Sequence, residues 1–197
     1  MADAIPFGVT VCGIEELGGH AALGATHVLS ILDPDYPVPE AFGQYGEHAR
    51  LERRFHDIID PTPGMVLPTA ADVAAILNFG RMLAMEPHLP ATLLVHCHAG
   101  ISRSTASMAL ILAQARPDLP ADSMLAIVHG IREKAWPNLR LIELGDRELG
   151  RDGRLIDAAF ALYRRQIETR PHIAAFMEQD GRAREVTGAL SRAPLEI

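Results

Sequence analysis

The chain has 197 residues, 48% hydrophobic and 22% charged, a composition ordinary for a globular protein with one sizeable core. Its 25 acidic and 18 basic side chains give a formal net charge of −7, so we expect neither nucleic acid nor an anionic membrane as a partner. With two cysteines, and a start that lacks a basic segment followed by an apolar run, the sequence predicts no disulfide framework, signal peptide or membrane span, and a cytoplasmic location.

Strand and helix patterns alternate along the first half of the chain. Two stretches, 34–46 and 57–67, are rich in proline, glycine and polar residues, which predicts loops. Thr69 is placed to cap a helix with an apolar face. The remaining patterns predict strands over residues 7–12, 27–32 and 50–56, and a short helix over 14–23 that ends at Gly24.

The most informative stretch is residues 92–105, which read TLLVHCHAGISRST. The apolar run before Cys97 predicts a short buried strand, and residues 106–115 predict a helix. Cys97 and Arg103 therefore bracket a five-residue loop between a strand and a helix N-terminus. Such a loop aims several backbone N–H groups at one point, and the helix dipole adds partial positive charge there. The pattern thus predicts an anion-binding site.

The residue types in this loop suit phosphate chemistry. The thiolate form of a cysteine is the nucleophile, and the loop amides together with the Arg103 cation would stabilise that form of Cys97. Arg103 can also donate two parallel hydrogen bonds to phosphoryl oxygens. Gly100 permits a turn without a Cβ clash, and the Ser104 hydroxyl could hydrogen-bond the sulfur and help it leave in a second step.

Helices dominate the second half of the chain. Asp122 or Ser123 is predicted to cap one helix, and two further helices are predicted over 139–149 and 155–169. From Pro171 onward large apolar residues are scarce, so we expect this segment to pack loosely. Strands that alternate with helices predict an α/β fold, with a twisted central sheet flanked by helices on both faces.

Three segments resemble one protein family. HCHAGISRS, at residues 96–104, is similar to the His-Cys-x5-Arg-Ser/Thr loop of the cysteine-dependent protein tyrosine phosphatase superfamily, and in particular of its dual-specificity branch. ALGATHVLSI at 22–31 and IVHGIREKAWPN at 127–138 resemble two further stretches of these phosphatases. The resemblance covers roughly residues 20–149. It implies a tyrosine-phosphatase-like fold, with a catalytic domain over 1–150 and a C-terminal helical extension and tail over 151–197.

The resemblance also implies roles for individual residues. Cys97 is the expected nucleophile, and Ser104 is expected to assist the second step. In this family an aspartate on a separate loop protonates the leaving oxygen. FHDIIDPTPG offers Asp57 and Asp60; its aromatic-x-Asp-Ile pattern favours Asp57, and Asp60 stays open. The residues expected to bind the phosphate are those of the loop: His98, Ala99, Gly100, Ile101, Ser102 and Arg103.

Neighbouring residues allow more than one interpretation. His96 is expected to orient Cys97 through hydrogen bonds, and a role as catalytic base is the alternative. His96 and His98 alternate like two metal ligands, but no further ligands stand at suitable spacing, so neither a metal nor a cofactor is predicted. Asn138 resembles the asparagine that braces the active loop in this family, and it could equally cap the helix that follows. Cys12 is expected to be buried and inert.

The sequence thus predicts a phosphatase that hydrolyses phosphotyrosine in proteins or peptides, with phosphoserine and phosphothreonine as further substrates, through a cysteinyl-phosphate. A phosphoinositide or other small phosphoester phosphatase is the nearest alternative. Lipid-directed relatives tend to carry lysines in the loop, whereas none of the five loop residues HAGIS is permanently cationic. A non-catalytic module that binds phosphoproteins is the second alternative.

Overall fold

The computed structural model describes residues 5–85 and 91–192. At its centre lies a four-stranded sheet formed by β1 Gly8–Gly13, β2 His27–Leu32, β3 Ala49–Arg54 and β4 Thr92–Cys97. All neighbouring strands are parallel, in the order β1-β4-β2-β3. The carboxyl ends of parallel strands lie at one edge of the sheet, so the segments that follow β2, β3 and β4 meet there.

The predicted strands are confirmed, with the largest error at the end of β3. That strand ends at Arg54, whereas the pattern predicts a strand to residue 56. The backbone N–H of His56 donates instead to the carbonyl oxygen of Val66 over 2.9 Å, which closes the loop that follows. The chain therefore leaves the sheet just before Asp57.

The helices take up most of the rest of the chain. Within residues 5–85 and 91–192, none of them is both long and apolar enough to cross a membrane. The α-helices are α1 Ala70–Ala84, α2 Arg103–Ala115, α3 Ala121–Ile131, α4 Leu139–Glu148, α5 Arg154–Thr169, α6 His172–Gln179 and α7 Ala183–Ser191.

The two faces of the sheet are covered differently. Val95 and Cys97 of β4 lie in the main hydrophobic core, which they share with the α-helices. Leu94 points to the opposite face and packs in a smaller cluster with Leu17 and Phe42. Those two residues belong to 3-10 helices, Ile14–Leu23 and Glu40–Gln44. The predicted α/β fold with helices on both faces is therefore confirmed, although the second face is covered by short 3-10 helices.

The helix ends show where local signals suffice. Thr69 caps α1 as predicted, because its Oγ accepts a hydrogen bond from the Asp72 N–H. The cap predicted for α3 at Asp122 or Ser123 is wrong, since Pro120 precedes the helix and makes no side-chain cap. Proline is tolerated at a helix start, where its missing N–H has no intrahelical partner to lose.

The expectation of loose packing after Pro171 is wrong for α7, whereas α6 buries only Met177. Val186 and Ala189 of α7 are buried against α5, and a Cβ added at Gly188 would lie 2.1 Å from the Phe160 ring. Small residues let the two helix backbones approach closely, so this interface needs few large apolar side chains. Residues 151–192 thus share the main core with α1–α4. The division of the chain at residue 150 stays a prediction.

Candidate active site

The loop between β4 and α2 brings the end of a strand close to the start of a helix. Cys97 is the last residue of β4 and Arg103 the first of α2. The Cys97 side chain is almost fully buried, and its Sγ lies 3.1 Å from the Oγ of Ser104. Because Ser104 lies in the first turn of α2, the sulfur stands beside the partial positive charge of the helix N-terminus.

Glycine is required at the middle of the loop. Gly100 has a φ of 68°, in the left-handed region that side chains disfavour. A Cβ added there would lie 2.4 Å from the backbone carbonyl carbon of Cys12. On the other side of this contact, a Cβ at Gly13 would lie 2.8 Å from the His98 carbonyl oxygen. The loop therefore keeps its shape by direct backbone packing against the end of β1.

The guanidinium of Arg103 is held on one side and open on another. It is 3% exposed, and its Nη1 donates to the Phe55 carbonyl and to the Asp33 carboxylate, each over 2.6 Å. Its buried Nε has no hydrogen-bond partner among residues 5–85 and 91–192. A buried donor of this kind is costly unless it is satisfied, and an anion at the loop would satisfy it.

Asp33 belongs to the site although no sequence pattern indicates it. It directly follows β2, which lies next to β4 in the sheet. Its carboxylate binds Arg103, and its backbone N–H donates to Nε2 of His98 over 3.2 Å. Burial and then the nearby Arg103 cation lower the pKa of His98, so its ring is neutral at neutral pH and accepts this bond. Its place directly after a buried strand becomes informative only once the strand order is known.

Asp57 is the candidate acid that reaches the loop. Its Oδ1 accepts from Ser102 Oγ over 2.7 Å and from Asn138 Nδ2 over 2.8 Å. Its Oδ2 lies 4.0 Å from Nε of Arg103. One carboxylate oxygen is thus anchored, and the other faces the guanidinium of Arg103.

Asp60 lies elsewhere. Its side chain is 55% exposed and pairs with Arg184, with 3.2 Å between Asp60 Oδ1 and Arg184 Nη2. Arg184 in turn binds Glu143 of α4. The structure therefore brings Asp57 to Arg103 and directs Asp60 into a surface ion-pair network.

Asn138 does both things that its sequence context suggests. Its Oδ1 accepts from the Leu141 N–H over 3.1 Å and caps α4, while its Nδ2 binds Asp57. Its backbone N–H also donates to the Ser102 carbonyl over 3.2 Å. A single buried amide thus links the α4 N-terminus, the loop and the candidate acid.

Arg182, which no sequence pattern singles out, completes the surroundings of Asp57. Its Nη1 donates to Ser102 Oγ over 3.0 Å and to Asp57 Oδ1 over 3.3 Å. The residue stands just before α7, in the segment that we expected to pack loosely. No local pattern could reveal it, because the contact spans 125 residues.

His96 lies on the sheet face opposite Cys97. Its Nε2 shares a hydrogen bond of 2.7 Å with Ser30 Oγ, and its ring packs beside Phe42. Burial lowers the pKa of His96 to about 4, so the ring is neutral at neutral pH. A role in orienting Cys97 stays a prediction.

Cys12 is separated from Cys97 by the sheet. It pairs in register with His96, so the two thiols project to opposite faces. Burial, and then the nearby Glu16 carboxylate, raise the pKa of Cys12 to about 12, which keeps it in the unreactive thiol form. Within the described part of the chain, no group of three or more histidine, cysteine or acidic side chains is arranged to hold a metal.

The fold of this chain is similar to that of solved phosphatases and phosphatase-like proteins. Human DUSP28 matches with a TM-score of 0.55 and 16% identity, over 75% of this chain and 94% of that one. The human tyrosine phosphatase-like serine/threonine/tyrosine-interacting protein matches with a TM-score of 0.55 and 18% identity, over 74% and 93%. PTPMT1 in complex with PI(5)P matches with a TM-score of 0.50 and 16% identity, over 74% and 94%.

These similarities establish the fold that the loop motif predicted. No protein-family model and no curated protein sequence matches the chain. At 15–20% identity, structural similarity carries the architecture and not the substrate. The three names span a phosphatase, a phosphatase-like interacting protein and a complex with a phosphoinositide. Function must therefore be argued from the site.

Proposed function

We propose that this chain is a phosphatase that hydrolyses phosphotyrosine in proteins or peptides, and more slowly phosphoserine and phosphothreonine, through a cysteinyl-phosphate on Cys97. The supporting observation is that three groups meet at one edge of the sheet. They are a thiol at a helix N-terminus, the Nε of Arg103, which has no hydrogen-bond partner in the described part of the chain, and the Oδ2 of Asp57 at 4.0 Å from that Nε. A nucleophile, an anion-binding cation and a proton donor are what phosphoester hydrolysis requires.

In the first step, the Cys97 thiolate attacks phosphorus and the bond to the leaving oxygen breaks. Arg103 Nε and the loop amides hold the equatorial phosphoryl oxygens, whose charge is spread in the transition state. Asp57 transfers a proton from Oδ2 to the departing oxygen, so that an alcohol or phenol leaves in place of an anion.

In the second step, water attacks the cysteinyl-phosphate. Asp57, now a carboxylate, accepts a proton from that water, and the phosphorus–sulfur bond breaks. Ser104 Oγ, at 3.1 Å from the sulfur, donates a hydrogen bond to the departing thiolate. Inorganic phosphate is released and the enzyme returns to its starting state.

The surroundings of the loop favour a phosphoryl group on an aromatic ring in a peptide. Tyr36 is partly exposed and packs edge-on against His98, with 4.5 Å between ring centroids. An aromatic leaving group can pack against such a wall. A multiply phosphorylated lipid headgroup would need further cations, but Arg54 donates to three backbone carbonyls and Arg184 is paired with two carboxylates.

Phosphate release from a matched panel tests the proposal. The panel contains p-nitrophenyl phosphate, a phosphotyrosine peptide, the same peptide with phosphoserine, and a short-chain phosphoinositide. We expect the phosphotyrosine peptide to exceed the phosphoinositide in kcat/KM by about tenfold or more. Preference for the lipid would replace the proposed substrate class while leaving the chemistry in place.

The cysteine variants test the chemistry itself. Cys97→Ser should lower turnover about 10³-fold or more, because an alcohol is a far weaker nucleophile than a thiolate. Cys12→Ala removes the other thiol, on the opposite sheet face, and should retain turnover. Unchanged turnover in Cys97→Ser would reject the mechanism. Tight phosphopeptide binding without turnover in the unsubstituted protein would support a non-catalytic binding module instead.

A further inference from the structure

A buried charged pair joins the start of α7 to the candidate acid. Arg182 is 2% exposed and Glu185 is fully buried. Arg182 Nε and Nη2 donate to the two carboxylate oxygens of Glu185 over 2.8 and 2.7 Å. Glu185 also accepts from the Trp136 Nε1–H over 2.6 Å and from the Leu139 N–H over 2.9 Å. The pair is therefore fixed to the segment that carries Asn138.

The position of Arg182 is unfavourable for α7 itself. A cation at a helix N-terminus opposes the helix dipole, and a buried charge is costly unless it is paired. Burial by itself would lower the pKa of Arg182, but the carboxylates of Glu185 and Asp57 outweigh it and raise the pKa above its ordinary value. The guanidinium is thus permanently charged. One of its edges is used by Glu185, and Nη1 is directed at the active site.

Nη1 of Arg182 contacts Asp57 directly and also contacts Ser102, which donates a hydrogen bond to Asp57. Oδ1 of Asp57 accepts from Ser102, Asn138 and Arg182, at 2.7, 2.8 and 3.3 Å. A carboxylate oxygen with three donors has no lone pair left for a proton, so the proton must reside on Oδ2. Arg182 also donates to Ser102 Oγ over 3.0 Å, which directs the hydroxyl hydrogen of Ser102 toward Asp57.

We infer that Arg182 is a positioning residue for the acid, which saturates Oδ1 of Asp57 and so presents Oδ2 to the leaving oxygen. The inference rests on the proposed phosphatase function. It makes α7, at the end of the chain, a part of the catalytic apparatus. Arg182 acts through Asp57 and Ser102 and need not touch the substrate.

Substrates with different leaving groups separate positioning from a general loss of structure. Phenyl phosphate needs protonation of its leaving oxygen, whereas 2,4-dinitrophenyl phosphate has a leaving group that departs without it. Arg182→Met should lower kcat/KM for phenyl phosphate about tenfold or more and change kcat/KM for the dinitrophenyl ester by less than about threefold. The ratio kcat/KM is the readout because it excludes hydrolysis of the cysteinyl-phosphate, which is the same for both esters. Arg182→Lys keeps the charge but loses the fork, and should give an intermediate loss with the same selectivity.

A double-variant comparison identifies the residue through which Arg182 acts. Asp57→Asn should show the same selective loss in kcat/KM, and Arg182→Met should add little to it, because the group that it positions is already disabled. Arg192→Met is the matched control. It removes another arginine next to α7, which lies over the Phe160 ring and contacts Asp157, and it should leave both substrates unchanged.

The possible outcomes are distinct. Equal loss on both esters, or a full additional loss in the Asp57→Asn background, would overturn the inference and leave the phosphatase function intact. Failure of the phosphatase function would show differently, as turnover that is absent from the unsubstituted protein or is unaffected by Cys97→Ser. Melting curves for the Arg182→Lys variant, read beside the two rates, keep the test valid if Arg182→Met folds poorly.

Discussion

Two parts of the site are assembled in opposite ways. The nucleophile loop comprises residues 97–104, and the acid cluster comprises Asp57, Ser102, Asn138 and Arg182. Cys97 and Ser104, which contact each other, are 7 residues apart. Asp57 and Arg182, which also contact each other, are 125 residues apart. The first contact needs a strand, a glycine turn and a helix start, with the turn packed against the end of β1. The second needs β3, α4 and α7 to be in place at the same time.

This difference predicts how each region responds to perturbation. The loop depends on local backbone conformation, so substitutions there should affect every substrate. The acid cluster depends on distant packing, so substitutions that loosen the C-terminal helices should affect substrates with poor leaving groups first.

Among substitutions outside the reacting groups, Gly100→Ala should produce the largest loss, because it changes the nucleophile loop directly. Its φ of 68° and the 2.4 Å approach to the Cys12 backbone leave no room for a methyl group. We expect kcat/KM to fall about 10²-fold or more on both leaving groups, with about 2–3 kcal/mol of lost stability. Gly130→Ala, in α3 with open space around it, is the control. A Gly100→Ala protein with normal turnover would show that the loop shape is not needed.

Asp57→Asn tests the acid cluster without changing its shape. The amide keeps an oxygen for its three donors but cannot supply a proton, so kcat for phenyl phosphate should fall about 10²-fold. The decline of the rate with rising pH, which a general acid imposes, should disappear as well. Asp60→Asn should change either measure by less than about twofold. If Asp60→Asn gave the larger loss and Asp57→Asn did not, the acid would be reassigned.

His96, in β4, should make the free energy of unfolding depend on pH. Its folded pKa of about 4 lies below the ordinary value, so the unfolded chain takes up a proton first as the pH falls. The stability that neutral His96 provides is complete above about pH 6.5 and is lost progressively toward pH 4, by about 2 kcal/mol at pH 5. Urea unfolding at pH 7.5 and pH 5 should show this loss, reduced in His96→Gln. An equal loss in that variant would assign it to other groups.

Gly188→Ala should loosen the acid cluster from a distance. The added methyl group would meet the Phe160 ring at 2.1 Å, which forces α7 away from α5. We expect about 1–3 kcal/mol of lost stability. Turnover of phenyl phosphate should fall a few-fold more than that of the dinitrophenyl ester. If turnover fell by the same factor on both esters, α7 would have shifted without disturbing Arg182.

The sequence predicts the nucleophile loop well and the acid cluster in part. The motif HCHAGISRS fixes the loop, because backbone conformation and helix start are encoded within it. Asp57 and Asn138 were expected, but only the structure separates Asp57 from Asp60, since their side chains diverge within one loop. Asp33 and Arg182 could not be predicted, because strand order and helix packing bring them to the loop.

The C-terminal segment shows why the remaining error arose. Large apolar side chains are the usual sequence signal of a buried helix, whereas α7 packs through small residues and a charged pair. Arg182 and Glu185 look like surface residues in the sequence, and their burial depends on each other and on Trp136. Paired charges in a core leave no pattern that a hydrophobicity scale can detect.

Trapping the covalent intermediate would show directly whether Cys97 is the nucleophile. Acid quenching of a reaction with a phosphotyrosine peptide, followed by peptide mass spectrometry, should locate a phosphoryl group on Cys97. The adduct should accumulate in Ser104→Ala, where the sulfur leaves more slowly, and should be absent from Cys97→Ser. Phosphate release without a Cys97 adduct in Ser104→Ala, or an adduct on a histidine, would contradict the account.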